Sequence, residues 1–421
     1  MQIITLEPYQ FDTFANNHKY SNYYQTSSYG KTMAENGFNV HYIGIVEDNT
    51  LIGASLLVFK TVFMNQKIAY APRGILFDYN DPNKVKELAD KLKEVLGRQG
   101  FIILRMDPYI PATIRNEKGI VKNMNQDINN IMINIKNAGF TYKGQNKYFE
   151  NELSRYEGIY ILNKNNKEIL DSFKKRTRHK IYRAGSCGIT VFKDENKNID
   201  KLYELCKTKT DLPKKFIESL KNNFINSQVY YAIINTDSFV IDAKKRYEHE
   251  LERNDHLSKM IQEQMNISKN VNQRLLNIKM ESDKLTNVYK NDLVMATDLL
   301  KNYPQGLIVA GALTIEYNNS SYLIIDGFDN TYRHLNPSYL LKWFIIDDCN
   351  NRKLRYFNMN ALVGEFKKQN PYKQLNEMKL GFSIIPTEYI GEFDLVLNNL
   401  NYMMYKGLSK DKNYKLKKDI H

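Results

Sequence analysis

Apolar and polar positions toward the C-terminal end of the chain change from the period of strands to that of a helix and back. Residues 307–317 and 322–326 are apolar and β-branched, and the turn-forming run Asn318-Asn319-Ser320 separates them, which predicts a β-hairpin. A helix is predicted from Pro337 onward, because apolar residues recur on one helical face at Leu340, Leu341, Phe344 and Ile345. An apolar strand at 354–359 follows, so this segment is predicted to form a sheet with a crossover helix.

The same order of elements is predicted nearer the N-terminus. Its members are strands at 40–46, 51–59 and 67–71, a helix that starts at Asp81-Pro82, and a strand at 101–106. The second half supplies matching leading elements, namely helices at 201–209 and 213–224 and a strand at 228–234. An α/β protein with two tandem GCN5-like acyltransferase halves is therefore predicted.

An insert at 237–303 interrupts the second half and contains neither Gly nor Pro. Its outgoing side has a heptad pattern of Val271, Leu275, Ile278, Leu285, Tyr289, Ala296 and Leu299, with Ser282 and Asp292 as polar seam positions. Its incoming side fits a heptad of Tyr247, Leu251, Ile261 and Met265, with breaks at Asn254 and Ser258. The insert is predicted to be an antiparallel coiled-coil hairpin about 45 Å long. Such an arm serves either as an RNA contact or as a dimerisation or spacer element.

These elements divide the chain into four parts. We expect a first acyltransferase-like subdomain at 1–150 and the first part of a second subdomain at 151–236. The coiled-coil arm occupies 237–303. Residues 304–421 are expected to complete the second subdomain and to return a C-terminal helix to the first.

Composition favours a soluble globular protein of two or three domains, since 42% of the 421 residues are hydrophobic. The N-terminus lacks the pattern of a signal peptide, and the longest apolar run, at 51–59, is too short to span a bilayer. A cytoplasmic location, peripheral to the membrane, is expected. Cys187, Cys206 and Cys349 are scattered, so neither a disulfide framework nor a metal site is predicted.

The formal net charge of +13 favours a polyanionic partner, either a nucleic acid or an anionic membrane surface. The alternative is compositional bias, because the chain is rich in the Lys, Asn, Ile and Tyr that AT-rich genomes encode. Basic residues concentrate at 174–183, where Lys175, Arg178 and Lys180 crowd one helical segment within two turns. An anion such as phosphate would relieve this repulsion, with His179 and Tyr182 offering stacking surfaces. A solvated basic face is the other reading.

Several motifs resemble the Fem peptidyltransferases, which include the FemA, FemB, FemX and MurM types. They are YGKTMAENGF, ILRMDPYIP, KKRTRHKIYRAGSCGITV, AGALTIEYNNSSYLIIDGFDNTYRHLNPSYLLKW, NEMKLGF and IGEFDLVLNNLNYMMY, and they extend over essentially the whole chain. The arm is more similar to the FemA and MurM branches than to FemX, which lacks it. The resemblance implies transfer of an amino acid from aminoacyl-tRNA to the stem peptide of a peptidoglycan precursor.

Two residues take catalytic roles under this resemblance. Asp107 follows a buried strand and precedes Pro108, and by the family's DP motif it would orient or deprotonate the attacking amine. A turn or helix cap is its structural alternative. Lys379 stands in MKLGF, where the family has FK-x-GF, and would stabilise the oxyanion or hold the tRNA end. Because the tRNA ester is already activated, no metal, ATP or other cofactor is expected.

Substrate contacts are implied in the same way. Lys31 in YGK would hold the phosphates of the precursor, and Tyr322 would face the substrate groove; an exposed lysine and a packing tyrosine are the alternatives. The tRNA-binding residues would be Lys175, Arg178, Lys180 and Arg183. The implied partners are aminoacyl-tRNA, lipid II or UDP-MurNAc-pentapeptide, the inner membrane leaflet in transient contact, and a second copy if the chain forms a homodimer.

Three function classes fit the sequence. The first is the tRNA-dependent aminoacyltransferase. The second is a coenzyme-A-dependent N-acyltransferase, which should carry a pyrophosphate loop of the form Q/R-x-x-G-x-G/A, and the sequence contains none between a strand and a helix. The third is a non-catalytic tRNA-binding or scaffold protein built around the arm.

Overall fold

The structure, a computed structural model of the chain, describes residues 1–146, 148, 150, 152–268, 271–367 and 369–408. Its helices are α1 Pro8–Asn17, α2 Ser27–Glu35, α3 Pro82–Arg98, α4 Ile128–Asn137, α5 Asn166–Ser172, α6 Lys175–Ser186, α7 Asp200–Cys206, α8 Lys214–Asn223, α9 Thr236–Ser268, α10 Gln273–Asn302, α11 Pro337–Asn351, α12 Lys373–Leu380 and α13 Asn399–Leu408. Its strands are β1 Gln2–Thr5, β2 Asn39–Glu47, β3 Thr50–Thr61, β4 Lys67–Ala71, β5 Phe101–Met106, β6 Pro111–Arg115, β7 Val121–Met124, β8 Thr141–Tyr142, β9 Tyr156–Ile161, β10 Ile189–Asp194, β11 Gln228–Ile234, β12 Leu307–Tyr317, β13 Ser320–Phe328, β14 Tyr356–Leu362, β15 Ile385–Tyr389 and β16 Phe393–Val396.

Both halves contain the same arrangement of strands and crossover helix. In the first half β2, β3 and β4 are antiparallel, and α3 leads to β5, which is parallel to β4. In the second half β11, β12 and β13 are antiparallel, and α11 leads to β14, which is parallel to β13. The duplicated α/β organisation predicted from the sequence is confirmed.

The two sheets exchange strands across the predicted boundary at residue 150. The first sheet has the order β1-β2-β3-β4-β5-β16-β8, so a strand from the C-terminal part of the chain lies between β5 and β8. The second has the order β10-β11-β12-β13-β14-β9-β15-β6-β7, so the hairpin that follows β5 joins the other half. The four-part division of the chain stays a prediction, while the sheets themselves interlock.

The crossover helix α3 forms where its sequence signals place it. The side chain of Asp81 accepts hydrogen bonds from the backbone N–H groups of Asn83 and Lys84, and Pro82 occupies the first turn. Its apolar face is buried against the first sheet at Val85, Leu88, Ala89, Leu92 and Leu96. This burial holds β5 in register beside β4, so the ends of both strands meet at one edge of the sheet.

The coiled-coil hairpin is present as α9 and α10, with 33 and 30 residues. On the outgoing helix the predicted seam is confirmed, because Leu275, Ser282, Asp292, Ala296 and Leu299 are buried. On the incoming helix the prediction was wrong for Leu251 and Met265, whose exposed fractions are 38% and 53%.

The face of α9 that packs against α10 instead includes polar residues. A heptad pattern based on apolar residues therefore predicted the wrong positions for this face. The buried Glu250 accepts a hydrogen bond of 2.6 Å from Ser282 Oγ. The side-chain amide of Asn254 donates to Ser282 Oγ at 3.1 Å. Nearer the body, the buried Asp292 carboxylate lies 3.8 Å from Arg246 and 2.6 Å from Arg183 of α6. Polar pairing therefore sets the register of the arm.

The base of the arm belongs to the core of the second half. Phe239 and Ala243 of α9, with Ala296 and Leu299 of α10, are buried in the same cluster as the strands of the second sheet. Only the part of the hairpin beyond the Arg246–Asp292 pair extends away from this core.

Other features of the chain bear on its compartment and chemistry. In the described ranges, none of the helices is long and apolar enough to cross a membrane. Cys187, Cys206 and Cys349 are buried and unpaired. Within the same ranges no cluster of three or more His, Cys, Asp or Glu residues could hold a metal ion.

We predict that the outer arm can be removed without unfolding the body, whereas its base cannot. Replacing residues 247–291 with a short Gly/Ser join should leave one cooperative thermal transition near that of the intact chain. Replacing 238–302 removes the buried Phe239 and should lower the free energy of unfolding by at least about 3 kcal/mol. Denaturant melts followed by circular dichroism measure both. Equal stability of the two variants would contradict this account of the core.

Candidate active site

A cavity of about 290 Å³ lies between the two halves. Most of its wall is aromatic or aliphatic, and its lining residues include Tyr23, Tyr24, Tyr29, Met33, Phe38, Val58, Tyr70, Ser154, Phe216, Leu220 and Ala361. The hydrophobic cluster around it also draws residues from both halves. A more open depression of about 340 Å³ lies against α1, and its lining comes from the first half alone. The enclosed cavity, to which both halves contribute, is the better candidate site.

The first wall of this cavity is built at the ends of two parallel strands. β4 and β5 pair in parallel with Ala71 opposite Met106, so Arg73 and Asp107 follow at the same sheet edge. Carboxyl ends of parallel strands are where α/β folds usually place ligand-binding groups. Arg73 has a φ of +53°, a left-handed conformation that costs a non-glycine residue energy and turns its N–H toward Asp107.

Asp107 is buried and fully engaged in hydrogen bonds. Its Oδ1 accepts from the Tyr70 hydroxyl at 3.0 Å and from the Arg73 N–H at 2.7 Å, while the Arg73 guanidinium lies 3.3 Å from Oδ2. Burial raises the pKa of Asp107 to about 7, although Arg73 acts in the opposite direction. Near neutral pH this carboxyl is therefore divided between its protonated and ionised forms. Tyr70, whose hydroxyl donates to Asp107, lines the cavity, whereas Asp107 itself does not.

Arg73 also joins the first half to the second. Its guanidinium donates to Glu157 of β9 at 2.6 Å and to the Ser154 carbonyl at 2.8 Å. Glu157 in turn accepts from Asn358 of β14 at 2.6 Å and from Tyr109 at 3.1 Å. A buried guanidinium thus lies between two buried carboxylates that belong to different sheets.

Lys379 lies behind another part of the wall. It is buried on α12, and its Nζ donates to the carbonyl oxygens of Met359 and Ala361, each at 2.7 Å. Burial lowers the pKa of Lys379 to about 8, against the effect of the nearby Asp326. Since Ala361 lines the cavity and Asn358 contacts Glu157, strand β14 connects this lysine with the Arg73 network.

The two residues predicted to contact the precursor, Lys31 and Tyr322, differ in their burial and in their distance from the cavity. Lys31 is exposed on α2, although Tyr29 and Met33 of the same helix line the cavity. Tyr322 is buried and packs against Tyr23 with ring centroids 4.9 Å apart, next to the cavity wall. The structure therefore brings Tyr322 to the site and leaves Lys31 on the outer surface of the helix.

Three of the four predicted tRNA contacts have partners within the protein. The Arg178 guanidinium donates to the carbonyl oxygens of Asp171 and Phe173, both at 2.6 Å. Lys180 donates to the Tyr339 hydroxyl at 2.8 Å, and Arg183 forms its ion pair with Asp292. The repulsion that the sequence pattern indicates is therefore relieved largely inside the protein. An exposed basic surface remains on α6 and at its start, formed by Lys174, Lys175, Arg176 and His179.

Known proteins match this chain over nearly its full length. The model of the FemAB family matches residues 6–410. The chain belongs to the FemAB family. The Fem resemblance predicted from the motifs is thereby confirmed.

Individual relatives of this FemAB chain agree in length as well as in sequence. Aminoacyltransferase FemA of Staphylococcus epidermidis is 24% identical, covering 97% of this chain and 99% of the relative. Lipid II:glycine glycyltransferase of Staphylococcus aureus is 22% identical, covering 94% and 93%. The crystal structure of FemX superposes with a TM-score of 0.71 at 18% identity, covering 96% of this chain and 99% of FemX. That likeness shows that this chain shares the fold of FemX.

The motif analysis missed Arg73, Glu157 and Tyr70. The signal for Arg73 is present in YAPRG, where an arginine follows a buried strand just as Asp107 does. Recognising it requires the knowledge that β4 and β5 are parallel neighbours. Glu157 carries no comparable signal, because only the folded second sheet brings β9 beneath Arg73.

We predict that Asp107→Asn and Tyr70→Phe both lower turnover by about 10², since each interrupts proton transfer from the cavity to the carboxylate. In the intact enzyme, kcat/KM should rise with pH through about 7, because Asp107 accepts a proton only when ionised. Both substitutions should remove this pH dependence.

Tyr79→Phe is the matched control. Tyr79 is a buried tyrosine whose hydroxyl donates to the Ile75 carbonyl at 2.9 Å instead of to Asp107. Removal of the Tyr79 hydroxyl should leave the pH dependence of kcat/KM unchanged. If Asp107→Asn lowers stability but keeps the rise through pH 7, Asp107 only anchors Arg73 and is not the base.

Proposed function

We propose that this enzyme transfers an amino acid from aminoacyl-tRNA to the stem-peptide amine of a peptidoglycan precursor. The observation that carries the proposal is the cavity between the halves, which has the Tyr70–Asp107 pair at one wall and Lys379 behind another in a FemAB chain. Aminoacyl transfer needs a proton acceptor for the attacking amine and a cation for the developing oxyanion, and these groups supply both.

The proton leaves the amine through Tyr70 in this mechanism. Burial raises the pKa of Tyr70 well above its usual range, so the hydroxyl is neutral and donates to Asp107. As the amine nitrogen forms its bond to the ester carbonyl, its N–H proton passes to the tyrosine oxygen. The tyrosine proton passes at the same time to Asp107, which restores the neutral hydroxyl.

Lys379 stabilises the tetrahedral intermediate. Two of the three N–H groups of its ammonium donate to Met359 and Ala361, and because Ala361 lines the cavity, we assign to the ammonium an electrostatic effect on the oxyanion through this wall. Collapse of the intermediate breaks the bond to the tRNA ribose oxygen, which takes back through Tyr70 the proton held by Asp107, so a ribose hydroxyl leaves and the product amide remains. An ammonium held in a buried site acts more strongly on developing charge than one in water.

We assign the tRNA body to the exposed basic surface of α6 and to the outer arm. Lys174, Lys175 and Arg176 are exposed there, and the Arg183–Asp292 ion pair ties this helix to the arm. Phosphate contacts of this kind position RNA without reading its sequence. The arm under this proposal supports tRNA rather than a second copy of the chain.

The acceptor we favour is lipid-linked. The relative from Staphylococcus aureus is named for lipid II, and the present chain has a net charge of +13, which suits work at an anionic leaflet. The enzyme would then act on the cytoplasmic side of the membrane without crossing it.

A transfer assay tests the class of reaction. A labelled amino acid should appear on an amine-bearing muropeptide only when charged tRNA is supplied, without ATP, and RNase should abolish the product. Raised salt should weaken donor binding, because each phosphate contact releases counterions. Transfer from acetyl-CoA that survives RNase would overturn the proposal in favour of a coenzyme-A-dependent enzyme.

We predict that Lys379→Ala lowers turnover by about 10² to 10³ and leaves tRNA affinity nearly unchanged. In the intact enzyme, activity should fall as pH rises through about 8, where this lysine loses its charge. The substitution should remove that alkaline decline. A loss of affinity with turnover at saturation intact would make Lys379 a tRNA contact instead.

A further inference from the structure

The C-terminal helix α13 is apolar on the side that faces away from the protein. Tyr402 and Tyr405 pack inward against the hydrophobic cluster between the halves. Leu400, Met403 and Met404 are nevertheless exposed, with exposed fractions of 70%, 72% and 42%. A surface helix normally places polar residues on its outer face. The outer apolar side chains of α13 are therefore not explained by packing within the described part of the fold.

A further exposed apolar side chain lies in the turn that α13 contacts. Met64, in the turn between β3 and β4, is 75% exposed. The side chain of Asn401 donates to Gln66 Oε1 at 3.1 Å, which ties the start of α13 to that turn. Leu400, Met403, Met404 and Met64 together are called the α13 face below.

Basic residues flank the Met64 turn. Lys60 and Lys67 belong to the strands on either side of it. The sequence that follows the helix, residues 409–421, contains five lysines against two aspartates. Apolar side chains bordered by lysines match the chemistry of an anionic lipid surface, which offers hydrocarbon beneath a layer of phosphate groups.

The α13 face is also linked to the candidate active site. Tyr402 and Tyr405 pack on the cluster that contains Tyr29, Met33 and Phe38, and these three residues line the cavity. The Lys60 ammonium lies 4.3 Å from the centre of the Phe38 ring. A lipid surface bound here would therefore meet the protein next to the wall of the cavity.

We propose that the α13 face docks the enzyme on anionic phospholipid, so that a lipid-anchored acceptor reaches the cavity from the membrane. This inference rests on the proposed function only for the acceptor; the docking itself requires neither donor nor acceptor. Leu400, Met403, Met404 and Met64 enter the headgroup region, and the neighbouring lysines contact phosphate.

Sedimentation with lipid vesicles tests the docking on the full chain. The intact protein should bind vesicles of phosphatidylcholine mixed with phosphatidylglycerol, bind phosphatidylcholine vesicles far less, and be released by salt. Leu400→Glu combined with Met403→Glu should lower the partition coefficient at least about tenfold. Lys415→Glu, Lys417→Glu and Lys418→Glu together should weaken binding to the anionic vesicles alone.

Ile241→Glu is the matched control, because Ile241 is 63% exposed on another helix, α9, and its change should leave vesicle binding unaltered. The double variant should melt like the intact protein and retain its kcat/KM on a water-soluble muropeptide. If neither the intact protein nor any variant transfers an amino acid to the muropeptide, that result counts against the proposed function and not against docking.

Three results would overturn the docking proposal. One is an intact protein that stays in solution at every concentration of anionic vesicles. Another is a double variant that binds as tightly as the intact protein. The third is a dimer of the intact protein in sedimentation equilibrium that the double variant abolishes, since the α13 face would then contact a second copy.

Discussion

A buried arginine between two buried carboxylates is the interaction on which the site depends. Arg73 contacts Asp107 at the end of the first sheet and Glu157 in the second, and all three side chains are at most 5% exposed. A buried ion is tolerated only when charged and polar partners replace its water. Removing either carboxylate would leave part of the positive charge of the guanidinium without a partner. The same ion pairs therefore determine both the relative position of the halves and the ionisation of Asp107.

The exchange of strands gives this arrangement its rigidity. β16 completes the first sheet and β6 with β7 completes the second, so the halves cannot separate without breaking both sheets. The cavity between them is consequently a fixed part of the fold. Burial of the two charged groups beside it raises the pKa of Asp107 and lowers the pKa of Lys379 by the same desolvation.

Local sequence signals predicted a large share of the fold. Asp81-Pro82 and the apolar spacing after it located α3, and Leu275 to Leu299 established the register of α10, because these signals act within one or two helical turns. The register of α9 was missed where polar Glu250 occupies the seam, since its partner Ser282 is on the other helix.

The site was predicted only in part, for a related reason. Asp107 and Lys379 were identified from short motifs, whereas Arg73 and Glu157 act through pairings between strands distant in sequence.

In this mechanism the acceptor amine meets the donor in the cavity between the halves. A crystal structure of the enzyme with an amine-bearing muropeptide would locate the amine. We expect the amine nitrogen inside the cavity, within hydrogen-bonding distance of the Tyr70 hydroxyl. An amine bound outside it, for example in the open depression against α1, would rule out this mechanism.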